Sequence, residues 1–360
     1  MRSIGISLYP NQNIDIEREI EYIRTCGKLG FNRIFSCMIS ADGDVESVVE
    51  RFKKTLAVAN EYGMETIIDV SPVVFEKFNI KYDDLSFFKE LGAKGIRLDE
   101  GVEAKDAAMM THNKENLKIE INASTLTKFV EEIYTFGANT DNLVSCHNFY
   151  PQKYSGLSRK HFDNCNKQLK TMNLKISAFI SSNEQDATGP WPLKEGLPTL
   201  EEHRFEDIGY QARHLFMLGV DEVIISNQYA SQEELETLAA INRGMLSFKM
   251  TPEVELSDVE KEITYNFPHH VRGDMSEYMA RSTFSRIAFA NEDVPPKNTR
   301  DMKVGDVVIL NNNYGRYKGE LHIITKDMPN DGNKNVIGTL AGSEINMLEF
   351  IKPWIPFRVI

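Results

Sequence analysis

Short apolar runs recur through the first two thirds of the chain, each parted from the next by a longer stretch whose apolar residues keep helical spacing. The runs are IGISLYP (4–10), RIFSCMIS (33–40), ETIIDVS (65–71), GIRLDEG (95–101), KIEINAS (118–124), LVSCHNFYP (143–151), KISAFISS (175–182) and EVIISNQ (222–228). Their length and their content of Ile and Val read as buried strands. The intervening stretches, such as DIEREIEYIRTCGKLG and DVESVVERFKKTLAVANEYG, end on a glycine where a helix would stop. Strand-helix alternation repeated eight times predicts a closed (β/α)8 barrel of the TIM type rather than an open doubly wound sheet.

Two connections depart from the repeat. The fourth is short and contains the broken stretch MMTHNKEN, while the seventh is long and carries NEQDATGPWPLKEGLPTLEEHR. A long connection inside a compact domain is more often a lid or binding loop than filler. After EELETLAAINRGMLSF the texture changes at Thr251-Pro252. This divides the chain into a barrel at 1–250 and a second domain at 251–360. The second part holds VGDVVILNNN, GELHIITKD, NVIGTLAG and EFIKPWIPFRVI between Gly, Asn and Asp clusters, a pattern of small all-β domains.

Strand parity then selects candidate site residues. In a barrel strand one parity faces the lumen, and active sites of this architecture sit at the C-terminal mouth of the strands. Ser7 and Tyr9, Asp69 and Ser71, Arg97 and Asp99, and Glu120 and Asn122 are in phase. Glu100 has the opposite parity to Asp99, so it reaches the lumen only if the strand bends after it. His147, Asn148 and Tyr150 follow the sixth strand, and Asn227 follows the eighth. Each has a structural alternative: an acid after a strand can cap the next helix, and a buried histidine can be a hydrogen-bonded core residue. The cluster of Arg97, Asp99, Glu100 and Glu120 is the strongest signal, because several buried carboxylates around one arginine are costly unless used.

Charge and motif content remove several function classes. With 41 Lys and Arg against 53 Asp and Glu, the net charge of −12 disfavours binding to nucleic acid. The four cysteines have no paired metal-ligand spacing, and no apolar stretch is long enough to cross a membrane or to form the core of a signal sequence. A cytoplasmic protein without membrane association is therefore expected. GxxxxGK[ST], GxGxxG after a strand, GxSxG and HExxH are all missing, which leaves nucleotide hydrolysis, dinucleotide redox chemistry, elbow-type acyl transfer and zincin chemistry unsupported. No cofactor or metal is implied. Paired carboxylates at a pocket mouth suit glycoside hydrolysis, in which one acid protonates the leaving oxygen and the other attacks or stabilises the sugar centre, unless a substrate acetamido group attacks instead. Tyr9, Tyr150 and Trp191 could stack on sugar faces, and Lys194 and Arg204 lie in the long seventh connection.

The stretches GISLYP, GIRLDEG, LVSCHNFYP with YSGLS after it, GPWPLKEGLPTLEEHR, VRGDMSEYMARSTFSR and VGDVVILNNNYGRYKGELHI resemble the bacterial 6-phospho-N-acetylmuramidase family over nearly the whole chain. The resemblance implies a TIM-like barrel followed by a small cyclophilin-like β domain. It also implies cleavage of N-acetylmuramic acid 6-phosphate from N-acetylglucosamine inside the cell, with a phosphorylated amino-sugar disaccharide as the partner. Such a substrate carries a phosphate and a lactyl carboxylate, for which Arg97, Arg204, Arg272 and Arg281 are the candidate cations. Asp99 is expected to orient the acetamido group, Glu100 to act as general acid, and Glu120 to be the reserve acid. An oligomer is compatible with the sequence. A phosphosugar isomerase or aldolase using Glu120 or Lys175, and a noncatalytic carbohydrate-binding surface protein, are the alternative readings.

Overall fold

A computed structural model describes residues 2–10, 15–39 and 44–360. The chain divides into two compact units, residues 1–241 and 242–360. The division lies before the change of texture at Thr251-Pro252, because the short strand Leu246–Phe248 pairs within the second unit.

In the first unit eight strands close a barrel in sequence order, β1 (Ser3–Leu8), β2 (Arg33–Cys37), β3 (Glu65–Val70), β4 (Gly95–Leu98), β5 (Lys118–Asn122), β6 (Leu143–Cys146), β7 (Ile176–Ile180) and β8 (Glu222–Ile225), with β8 returning to β1. Every neighbouring pair is parallel. All eight apolar runs are therefore barrel strands, although Ser40 at the end of the second run lies outside the described residues. Several of the helices around them begin where the sequence supplies a capping side chain. Asp15 accepts from the Glu17 N–H before the helix Ile16–Lys28, Asp44 from the Ser47 N–H before Val45–Glu61, and Ser231 forms a reciprocal capping box with Glu234 before Gln232–Ala240. Gly30 and Gly63 follow the first two helices with φ of 82° and 68°, a backbone state that glycine enters without a steric penalty. The fourth connection holds only the helix Ala104–Met110, and the seventh forms no helix between β7 and the 3₁₀ turn Glu201–His203.

Two apolar layers hold this unit together. Outward-facing strand residues such as Ile4, Ile34, Ile68, Ile96, Ile119 and Val223 pack under the helices. Inside the barrel, Tyr9, Phe35, Cys37, Cys146, Phe179 and Ile224 form a separate cluster that fills the lumen beneath the mouth.

The second unit contains a five-stranded sheet in the order β10 (Thr251–Pro252), β15 (Lys334–Thr339), β13 (Asp306–Leu310), β14 (Leu321–Ile324) and β12 (Met279–Ser282). A three-stranded sheet joins β11 (His269–His270), β16 (Pro356–Val359) and β9 (Leu246–Phe248). It is β-rich but not all-β. Helical turns occupy Asp258–Lys261, Glu262–Asn266 and Ser285–Ala288, and EFIKPWIPFRVI contributes a strand only from Pro356 onward. Among the described residues, no helix is long and apolar enough to cross a membrane.

Candidate active site

A cavity of about 330 Å³ opens at the C-terminal mouth of the barrel, lined by Phe35, Cys37, Ile39, Asp69, Arg97, Asp99, Asn148, Phe149, Phe179, Pro190 and Trp191. Its polar residues come from adjacent strands in register: Cys37 is the partner of Asp69, and Asp69 is the partner of Arg97. Arg97 organises them. Its Nη1 donates to Asp69 Oδ1 at 2.7 Å and to Asp99 Oδ1 at 3.1 Å, and its Nη2 donates to Asn148 Oδ1. Asn148 is fixed in turn by its N–H on Ser124 Oγ at 2.8 Å and by its carbonyl, which accepts from Thr199 Oγ1 at 2.9 Å. The Cys37 thiol lies 3.7 Å from Asp69 Oδ2.

The two carboxylates differ in exposure, and that separates their chemistry. The Asp69 side chain is only 9% exposed, whereas that of Asp99 is 40% exposed. Burial pushes the Asp69 carboxyl up, Arg97 pulls it down, Asp99 pushes it up again, and the result is about 6. Asp69 can therefore hold a proton close to neutrality, while burial works against the Arg97 charge and is outweighed by Asp69, Cys146 and Asp99 acting together. Around these polar groups stands an aromatic wall. Phe149 meets Phe35 and Phe179 edge-on at 6.0 Å and 5.0 Å, and Trp191, half exposed at the rim, lies 6.1 Å from Phe149. A polar floor with aromatic walls suits a sugar, whose faces are apolar and whose edges carry hydroxyl groups.

The remaining candidate residues of the barrel are not in this lining. Glu100 falls in the bend after β4, is exposed, and is not in the cavity lining. The backbone does turn there, with Gly101 at φ 79°, but the Asp99–Glu100 pair is not brought together over the pocket. Glu120 is fully buried and bonded to Arg33 Nη2 at 2.7 Å, with Glu222 3.4 Å from Arg33 Nε. Arg33 and Glu222 are the first residues of their strands, so Glu120 sits toward the N-terminal end of the barrel, away from the mouth. Tyr9 stands behind the wall, its hydroxyl donating to the Ser226 carbonyl and its N–H to Gln228 Oε1 at 3.0 Å. Asn122 accepts from the Ser124 N–H at 2.8 Å and shapes its own loop.

His147 has the outward parity. It is buried between Asn166 and Ser124, packs against the tilted Phe162 ring at 4.6 Å, and burial pushes its pKa down to about 4. It is a core histidine. Tyr150 is half-buried, and burial raises its pKa. Arg204 grips both Glu201 oxygens at 2.6 Å and donates through Nη1 to the carbonyls of Tyr150, Glu195 and Gly196, which staples the seventh connection and leaves the guanidinium committed. Asn227 exchanges two hydrogen bonds with the Ser182 backbone and lines a second cavity. In the second unit, Arg272 and Arg281 converge on Asp274. Lys175 is exposed at the start of β7, where its carbonyl accepts from Ser145.

Sequence reading missed Phe35, Cys37, Phe149 and Phe179. The signal was available for three of them, since Phe35, Cys37 and Phe179 have lumen parity in their strands, but that parity was weighed for polar residues alone. Phe149 and Pro190 lie in loops, where no periodicity applies. One group of potential metal ligands occurs among the described residues, Glu202, His203 and His214, and it lies outside the cavity. The two histidines bond each other at 2.7 Å and Arg159 faces His214, an unfavourable setting for a cation.

Comparison with known proteins places this geometry in a family. The crystal structure of an uncharacterized B. cereus protein is 43% identical, with a TM-score of 0.90 over 100% of this chain and 99% of that one. A conserved Enterococcus faecalis protein of unknown function is 27% identical, with a TM-score of 0.75 over 99% of this chain and 96% of that one. No curated protein matches the chain. Family models described as 6-phospho-N-acetylmuramidase, N-terminal and C-terminal, match residues 4–240 and 246–360. The chain belongs to the 6-phospho-N-acetylmuramidase family.

Proposed function

We propose that this protein is a cytoplasmic glycosidase of cell-wall recycling that hydrolyses the bond between N-acetylmuramic acid 6-phosphate and N-acetylglucosamine, with Asp69 as general acid and Asp99 as its partner. The observation that carries this reading is the Asp69–Arg97–Asp99 cluster on the floor of an aromatic-walled cavity. Because both carboxylates bond one nitrogen, their nearest oxygens lie within about 6 Å of each other.

In the proposed reaction, the protonated Asp69 gives its proton to the glycosidic oxygen as the bond from that oxygen to C1 breaks. The 2-acetamido oxygen bonds to C1 in its place, and Asp99 accepts a hydrogen bond from the amide nitrogen and stabilises its growing positive charge. Water then attacks C1, the acetamido oxygen leaves, and the water proton returns to Asp69, so one water is consumed per bond cleaved. Trp191 and Phe149 receive the sugar faces. In this reading the cyclophilin-like second unit is an accessory to the barrel. An aldolase-type Schiff base lacks a nucleophile, because no lysine among the described residues lines the cavity.

The deciding experiment incubates the protein with the 6-phosphorylated muramic acid disaccharide beside its unphosphorylated twin and follows products by mass spectrometry. Release of N-acetylglucosamine from the phosphorylated substrate, with at least about a hundredfold preference in kcat/KM, is expected from a charge-assisted phosphate contact. Intact phosphorylated disaccharide would reject the reading.

A further inference from the structure

We infer that the second cavity of the barrel mouth, beneath the 183–200 segment, is a subsite for a phosphate ester, and that Lys194 is the cation that holds it. The inference rests on the glycosidase reading, in which the substrate brings a dianion to a protein of net charge −12. The carboxylate cavity cannot take that dianion. Among the described residues Arg97 is the one cation in its lining, and both of its terminal nitrogens are committed to Asp69, Asp99 and Asn148. Arg204 is equally committed.

The second cavity, of about 200 Å³, adjoins the first through consecutive residues: Gly189 lines one, and Pro190 and Trp191 line the other. Its walls come from the residues after β7, Ser182 to Gln185, and from Asn227 after β8. Loops after the seventh and eighth strands are where this architecture frequently binds phosphate. Lys194 is held at this wall by two hydrogen bonds, to the carbonyls of Gln185 at 3.1 Å and of Ala187, and it has no carboxylate partner among the described residues. An ammonium has three donors, so one remains, together with an unneutralised charge. The wall itself is rigid, because the Asn227 side-chain amide exchanges two hydrogen bonds with the Ser182 backbone and the Ser182 hydroxyl donates to Glu234 at 2.6 Å. Glu184 is the single acidic residue in the lining and is exposed at the rim. Its charge opposes a phosphate, so the subsite is tuned to bind a phosphate tethered to a sugar in the neighbouring cavity rather than to retain free phosphate tightly.

The test measures binding of N-acetylmuramic acid 6-phosphate and of N-acetylmuramic acid by calorimetry, on the full chain and on Lys194→Met, Lys194→Arg and Glu184→Gln. The unaltered chain should bind the phosphorylated sugar at least about tenfold more tightly, and Lys194→Met should erase that difference. Lys194→Arg should keep most of it, and Glu184→Gln should widen it severalfold, a gain that a merely structural role would not produce. A preference for the phosphorylated sugar that survives in Lys194→Met would overturn the subsite while leaving the glycosidase reading intact. If neither sugar binds but inorganic phosphate binds in a Lys194-dependent manner, the subsite stands and the glycosidase reading fails. No Lys194-dependent binding of any of the three would reject the subsite.

Discussion

Two arginines of the barrel, each held between two carboxylates, sit in opposite surroundings. Arg97, with Asp69 and Asp99, lies under a cavity and keeps one carboxylate open to solvent. Arg33, with Glu120 and Glu222, is enclosed, and Glu120 has no exposed surface at all. Tyr9, Phe35 and Phe179 belong to one aromatic cluster of the lumen, and Phe35 and Phe179 also line the cavity. Similar groups therefore serve different ends. An enclosed ion pair contributes mainly by never being broken, since loss of one partner strands a buried charge. A pair that borders a cavity can exchange protons and touch a ligand, and its Asp69 has the raised pKa that an acid catalyst needs.

Substitutions at the two clusters should separate these roles, and the largest effect belongs to the upper one. Asp69→Asn should lower kcat/KM on the natural disaccharide by about 10²- to 10⁴-fold, with partial recovery on an activated aryl glycoside that needs little protonation. Retained activity on both substrates would remove Asp69 as the acid. The unaltered protein should lose kcat/KM as pH rises through about 6, where Asp69 gives up its proton. Its stability has the same sign. A carboxyl whose folded pKa lies above its unfolded value binds its proton more tightly in the fold, so its contribution declines between about pH 4 and pH 6. Asp69→Asn should abolish that slope in pH-dependent denaturation.

At the lower cluster the effect should be on stability alone. Glu120→Ala leaves Arg33 buried beside Glu222 only, and should cost about 3–5 kcal/mol in chemical denaturation. The folded fraction should keep its specific activity; a selective loss of kcat with unchanged stability would make Glu120 part of the reaction after all. Trp191→Ala should raise KM roughly tenfold with a smaller change in kcat, as expected for one lost stacking surface at the rim. The smallest effect is expected at Glu100, exposed and outside the lining. Glu100→Gln should change kcat/KM less than about twofold, in the range of ordinary surface substitutions. A large loss there would restore the adjacent Asp99–Glu100 pair as the catalytic unit.

The contrast between Glu120 and Asp69 shows how far the residues alone could be read. Both have lumen parity, and the sequence assigned both to the inside of the barrel. Glu120 attracted more weight because it belonged to a dense group of charges, and Asp69 less because it stood alone in its strand. In the folded barrel, register joins Asp69 to Cys37 on one side and Arg97 on the other. Arg97 is also the register partner of Glu120, yet their carboxylate partners lie at different depths. Hydrogen-bonded rows run obliquely to the axis of a closed barrel because its strands tilt, so neighbours in a row do not share a height.

The sequence by itself determined the strands, the helices and the inward face of each strand. These depend on spacings of two and of three to four residues, and such spacings are local. The Asp15, Asp44 and Ser231 caps were local in the same way. Depth, partner choice and enclosure were decided only by the tertiary structure. His147 turned out to pack against Phe162 and Arg204 to be consumed by Glu201, each through partners brought in by another element. Whether a charged side chain is spent on the fold or kept for a ligand depends on which distant groups reach it first, and chain closure settles that question, which periodicity does not encode.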